Sequence, residues 1–80
     1  MDSLGEIVLK LTAMEEIKTM ATREGFLEVF WSRVQHLRGI GRMDSFHQIY
    51  DRMEEQYDNE YGRPLFPSWD AFRQYMYRHR

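Results

Sequence analysis

The 80-residue chain has no cysteine, only two prolines and five glycines, and no long apolar run. Without cysteine it can form no disulfide, no thiolate metal site and no cysteine nucleophile. Because small secreted domains usually depend on disulfides, and because residues 1–6 lack the basic start of a signal peptide, we expect a cytoplasmic protein. No apolar run approaches the roughly 20 residues of a membrane-spanning helix, so we expect no membrane association.

Aromatic residues and arginine are the abundant components. Aromatics make up 15% of the chain, and 11 Lys+Arg oppose 13 Asp+Glu, for a net charge of −2. Aromatic side chains bring enough apolar area to offset the chain entropy of a short protein, which argues against disorder. Arginine, which far outnumbers lysine here, stacks on rings. We therefore expect some arginine side chains to lie against tyrosine or tryptophan.

Apolar spacing predicts a compact all-α domain of three to four helices over residues 1–80, joined by short turns that contain glycine and proline. The predicted helices span about residues 4–21, 23–38, 45–61 and 69–79, with no strand. One long helix over residues 4–38, bent near Thr22–Gly25, is an alternative because the sequence signal for a break between the first two helices is weak.

The predicted helix ends carry recognisable capping residues. Thr22 and Ser68 have the side-chain oxygen that an N-cap needs, and either Asp44 or Ser45 could cap the third helix, with Ser45 and Gln48 forming a possible capping box. Gly39 and Gly62 stand where a left-handed residue would end a helix, and Ile40 would make the apolar contact that follows such a cap.

The apolar stripes of the predicted helices define the expected core. Its predicted members are Phe26, Phe30, Val34, Phe46, Ile49, Tyr50, Met53, Tyr57, Trp69 and Phe72.

The first predicted helix carries a candidate apolar surface for a protein partner. Leu9 and Met20 fall outside its apolar stripe, and Met14 adds a second flexible thioether. Methionine-rich surfaces adapt to different partners, so these three residues are candidate contacts, with ordinary core filling as the alternative. Self-association into a homodimer through this helix is one form that the contact could take.

The third predicted helix carries an acidic face. Asp51, Glu54, Glu55 and Asp58 lie opposite its apolar stripe. Such a face could dock a basic partner, or imitate nucleic acid and so inhibit a DNA-binding protein. A merely solvated helix face is the alternative.

The C-terminal segment mixes cations with aromatic rings. Arg73, Tyr77, Arg78 and Arg80 are candidate nucleic-acid contacts, because arginine meets phosphate and tyrosine stacks on bases. The alternative is structural: cations late in a helix are favoured by its dipole, and they could pair with the acids of the third helix.

No enzyme signature is present, and we expect no catalytic residue and no cofactor. His47 and Asp51 are spaced at i,i+4 and could share a helix face, but a zinc site needs three or four ligands. No second pair completes such a set, so we expect no metal.

Residues 66–73 read Phe-Pro-Ser-Trp-Asp-Ala-Phe-Arg and follow Tyr61-Gly62. This ending resembles small uncharacterised helical proteins of gut bacteria, their phages and mobile elements. The resemblance implies an accessory protein that binds a larger host or phage component. Together with the surfaces above, it favours a non-enzymatic protein-interaction module, with nucleic-acid binding as the alternative.

Overall fold

The computed structural model describes residues 15–79. Helix α1 spans Arg23–Gly39, α2 spans Phe46–Tyr61 and α3 spans Trp69–Arg78, and residues 15–19 are also helical. No strand occurs in this part of the chain. The all-α prediction is confirmed. Each of the three complete helices begins and ends within one residue of the predicted position.

The three predicted N-caps are confirmed. Thr22 Oγ1 accepts a hydrogen bond from the backbone N–H of Gly25 at 3.0 Å. Ser45 and Gln48 form a reciprocal capping box, with bonds of 3.1 and 2.9 Å. Ser68 caps α3 through its hydroxyl in the same way. These caps satisfy N–H groups that have no partner inside their own helices.

The alternative of one continuous helix through Thr22 is wrong. Thr22 has an extended backbone, with φ −111° and ψ 159°. The chain turns so tightly here that a Cβ on Gly25 would lie 1.7 Å from the carbonyl oxygen of Thr19. Only glycine permits this approach, which brings residues 15–19 against the start of α1.

The two glycine-based helix ends differ from one another. Gly62 ends α2 with φ 75°, as predicted. Gly39, however, remains inside α1, and Gly41 takes the left-handed conformation with φ 81°. Arg42 N donates to the carbonyl of Leu37 at 2.8 Å, which closes a Schellman-type end two residues later than predicted.

Thirteen apolar residues form one buried core. They are Met20, Phe26, Leu27, Val29, Phe30, Val34, Ile49, Tyr50, Met53, Tyr57, Phe66, Phe72 and Met76. All the predicted core residues are among them except Phe46 and Trp69, which are half-buried and pack against the edge. Ile40 is not packed: it is 59% exposed, so the predicted contact after α1 is wrong.

Aromatic rings meet edge to face at the centre of this core. The ring centroids of Phe30 and Phe72 are 4.9 Å apart, and those of Phe26 and Phe66 are 5.5 Å apart. Such pairs add about 0.5–1.5 kcal/mol each beyond their buried area. The cation–π contacts found within residues 15–79 place arginine over phenylalanine rather than over tyrosine or tryptophan. Arg23 lies over the Phe66 ring and Arg38 lies over the Phe46 ring.

The connection between α1 and α2 is held by charges. Arg42 donates two hydrogen bonds to the carboxylate of Asp44, at 3.0 and 2.9 Å. Arg52 of α2 donates to the same carboxylate. The hydrogen bond from Arg52, with help from the positive charge of Arg42, lowers the pKa of Asp44.

The connection between α2 and α3 is held by a carboxylate and by the core. The two oxygens of Glu54 accept the backbone N–H groups of Leu65 and Phe66, each at 3.1 Å. The Phe66 side chain is only 3% exposed. Burial, with a contribution from the negative charge of Glu54, raises the pKa of Tyr50. Because Phe66 is buried and Glu54 binds the backbone beside it, the connection between α2 and α3 is part of the packed structure.

Candidate interaction surface

Of the three residues predicted to form an apolar surface on the N-terminal segment, the structure describes only Met20, and Met20 is not at the surface. Met20 is 1% exposed and belongs to the core, so it is not available to a partner. It lies at the turn between residues 15–19 and α1, where its long side chain fills the space beneath that turn. Leu9 and Met14 lie outside the described residues.

Three of the four predicted acidic residues form an exposed surface on α2. Asp51, Glu55 and Asp58, which we call the acidic strip, are all exposed. Asp51 Oδ1 lies 3.5 Å from His47 Nε2. Glu54 is not part of this strip. It is half-buried and holds the connection to α3, because adjacent helical residues point about 100° apart and Glu54 faces the connection.

The C-terminal candidates do not form a single surface. Arg73 forms an ion pair with Asp70 on its own helix, at 3.2 Å, rather than with an acid of α2. Arg78 lines a cleft of about 200 Å³ together with Arg23. Tyr77 lines a different cleft, described next. Arg80 lies outside the described residues.

An aromatic cleft of about 260 Å³ opens where the three helices meet. It is lined by Trp31, Arg38, Phe46, Met76 and Tyr77, and we call these five residues the aromatic cleft. Helix α1 supplies two of them, α2 its first residue, and α3 two from its last turn.

The geometry of the aromatic cleft is fixed by ring packing. The Phe46 ring stands nearly perpendicular to the Trp31 indole, at 86°, with centroids 5.6 Å apart. The Cζ atom of Arg38 lies 5.8 Å from the Phe46 ring centroid. Met76 is 2% exposed, whereas Tyr77 is 57% exposed. The cleft therefore joins a packed aromatic edge to an open tyrosine.

Among residues 15–79, Arg38 is the only charged residue that lines the aromatic cleft. Within residues 15–79 no carboxylate lies within ion-pair distance of its guanidinium. The cleft thus presents positive charge beside apolar rings.

A larger groove of about 430 Å³ lies between residues 15–19, α1 and α2. It is lined by Glu16, Ser32, Arg33, His36, Leu37, Ile49 and Arg52. Its arginines are already neutralised: Arg33 pairs with Glu16 at 3.3 Å, and Arg52 pairs with Asp44. Because a ligand would have to displace these internal partners, the smaller aromatic cleft is the better candidate.

The histidines and carboxylates of the described part of the chain do not cluster as metal ligands. No group of three or more His, Asp or Glu side chains is arranged to hold a metal ion within residues 15–79. His47 is stacked on the indole of Trp69, with centroids 4.7 Å apart and the planes 7° from parallel. A packing role therefore accounts for this histidine.

No helix among residues 15–79 combines the length and the apolar character that a bilayer crossing requires.

Sequence reasoning missed four of the five cleft residues. The sequence pattern assigns Phe46 to the core and indicates Tyr77 only as a candidate nucleic-acid contact. The spacing of Trp31 and Arg38, seven residues apart, places both on the same side of α1. That spacing could have indicated an aromatic residue and a cation on one exposed flank.

Comparison of the chain with protein-family models, with curated proteins and with solved structures gave no match. The resemblance of residues 66–73 stays a prediction.

Proposed function

We propose that the protein is a non-enzymatic interaction module that binds another protein through the aromatic cleft. The observation that carries this proposal is the meeting of half-buried Trp31, exposed Tyr77 and unpaired Arg38 around one depression. Tryptophan, tyrosine and arginine are the residue types that supply most of the binding energy at protein interfaces.

Burial in the core does not account for Tyr77 at the edge of the cleft, since this side chain leaves more than half of its surface in water. A partner that covers it would remove apolar ring surface from water, and this contributes about 25 cal/mol per Å². The acidic strip of Asp51, Glu55 and Asp58 lies outside the cleft and would steer only a separate basic part of the partner's surface, which mainly raises the association rate.

Partner capture by variants of the full chain tests the proposal. The protein is immobilised and exposed to lysate from its native cell, and bound proteins are quantified by mass spectrometry. We expect Tyr77→Ala to reduce capture of the specific partner roughly tenfold or more, the range for truncating a residue at the centre of an interface.

Met43→Ala is the control variant, because Met43 is the most exposed large apolar residue within residues 15–79, at 91%, and does not line the cleft. It should leave capture unchanged. Equal loss with both variants would indicate general apolar stickiness and contradict the proposal.

Two further measurements test whether the protein binds a second copy of itself or nucleic acid instead of another protein. Analytical ultracentrifugation of the wild type would identify a second copy of the chain as the partner. A gel-shift titration at low and high salt tests the nucleic-acid alternative through Arg73, Tyr77 and Arg78. Salt-sensitive binding that Arg73→Ala and Arg78→Ala weaken would favour nucleic acid over a protein partner.

A further inference from the structure

We infer that the aromatic cleft recognises an apolar side chain next to a carboxylate, with Arg38 receiving the carboxylate. This inference rests on the proposed function and names the chemistry of the partner: an acidic segment of a protein that carries a bulky apolar residue.

The volume of the cleft limits the size of the apolar group that it can hold. Pockets for drug-sized molecules measure about 300–1,000 Å³, and the aromatic cleft measures about 260 Å³. It is therefore suited to one large side chain. Trp31, Phe46 and Tyr77 supply ring surfaces around it, and Met76 supplies a flexible apolar floor.

The charge of the cleft sets the polar part of the ligand. A guanidinium has five N–H donors in a planar fork that matches a carboxylate. Stacking over Phe46 holds the Arg38 guanidinium at the cleft without consuming those donors in an ion pair. A carboxylate on the partner would gain hydrogen bonds that no acid within residues 15–79 provides.

Among the seven other arginines within residues 15–79, four are already paired with a carboxylate, whereas Arg23 lies over the Phe66 ring in a second, smaller cleft in the same way as Arg38 over Phe46. Arg33, Arg42, Arg52 and Arg73 each contact a carboxylate of the same chain. Arg38 differs from these four because it lines an aromatic cleft and has no such contact. Charge complementarity therefore favours an acidic partner segment at this position over a basic one.

Two small probes that differ in charge test the inference. Indole-3-acetate carries a carboxylate beside an indole, and indole-3-ethanol replaces that carboxylate with a neutral hydroxyl. Each is titrated into the ¹⁵N-labelled full-length protein, and binding is followed by NMR shifts of the Trp31 indole N–H and of the Met76 and Tyr77 amides. We expect indole-3-acetate to bind about 1.5-fold to fivefold more tightly, the range for an exposed ion pair.

Substitutions of Arg38 test whether its guanidinium causes the preference for the carboxylate probe. Arg38→Gln should make the two dissociation constants equal, and Arg38→Lys should retain part of the difference. Arg73→Gln is the control, because Arg73 already pairs with Asp70 and does not line the cleft. It should leave the difference unchanged. Unperturbed amide shifts for Phe72 and Phe30, both buried, verify that each variant is folded.

The outcomes separate this inference from the proposed function. Cleft shifts with equal affinity for both probes in the wild type would overturn the carboxylate assignment and leave the cleft as a binding surface. A preference that persists in Arg38→Gln would also overturn it. No shift with either probe would overturn the cleft itself, and the proposed function with it.

Discussion

The apolar residues of the two connections between the helices differ in their exposure to solvent. Between α1 and α2, Ile40 is 59% exposed and Met43 is 91% exposed. Between α2 and α3, Phe66 is 3% exposed and Leu65 is half-buried. The second connection contributes to the core, whereas the first leaves apolar side chains in water.

The way each connection is anchored explains this difference. Asp44 holds the first through Arg42 and Arg52, side chains at the surface that require no burial of the connection. Glu54 holds the second by accepting backbone N–H groups, which fixes the chain where Phe66 enters the core. The comparison indicates that the second connection contributes more to the packed core than the first does.

Truncation of Phe66 should give the largest effect. Phe66→Ala removes a ring that packs against Phe26 and Phe72, and we expect it to lower the free energy of unfolding by about 3–4 kcal/mol. Urea unfolding followed by circular dichroism measures this. Met43→Ala, the matching change in the first connection, should alter it by less than about 0.5 kcal/mol. Similar losses in both variants would remove the contrast between the connections.

Two adjacent glutamates test the anchor of the second connection. Glu54→Ala leaves the N–H groups of Leu65 and Phe66 without their acceptor, and we expect a loss of about 2 kcal/mol. Glu55→Ala removes an exposed carboxylate one position along the same helix and should stay within about 0.5 kcal/mol. A loss in Glu55→Ala as large as that in Glu54→Ala would contradict the assigned role of Glu54.

Two glycines of the first connection should respond with opposite signs. Gly39 is helical, and nothing lies within 4 Å of the position of an added Cβ, so Gly39→Ala should stabilise the protein by about 0.5–1 kcal/mol. Gly41 has φ 81°, so Gly41→Ala should destabilise it by about 1 kcal/mol. Thermal unfolding of both variants measures this, and a shift of the same sign in both would contradict the observed end of α1.

Acid unfolding tests the anchor of the first connection and should give the smallest effect. The folded protein holds the pKa of Asp44 below its ordinary 3.8, so the ionised carboxylate stabilises the fold above that value. This contribution is lost as the pH falls through the lowered pKa. The melting temperature of Asp44→Asn should therefore lie below that of the wild type at pH 6, and the two should converge below pH 3.8. A constant difference at all pH values would contradict this.

The sequence predicted the helices well, because local rules decide where they begin and end. Thr22, Ser45, Ser68 and Gly62 act within one turn of the chain, and each was identified from its neighbours. Gly39 was misassigned because two glycines compete for one helix end, and the choice between them depends on the bonds from Gly41 and Arg42 back into α1.

The surfaces were harder to predict because they depend on contacts between distant residues. Met20 is apolar and lies outside the stripe of its helix, and only the turn at Thr22 shows that it is buried. Glu54 has the same side chain as Glu55, and only the path of the connection to α3 distinguishes them. The aromatic cleft requires α1, α2 and α3 together, so periodicity within any one helix cannot reveal it.

Site-specific photo-crosslinking in the native cell tests the central claim most directly. A photoreactive phenylalanine analogue is placed at position 77 in the aromatic cleft, or at position 55 in the acidic strip, and crosslinked proteins are identified by mass spectrometry. The account predicts a specific protein adduct from position 77, and loss of that adduct when Trp31→Ala is added. Adducts from position 55 alone, or an adduct from position 77 that Trp31→Ala leaves unchanged, would contradict it.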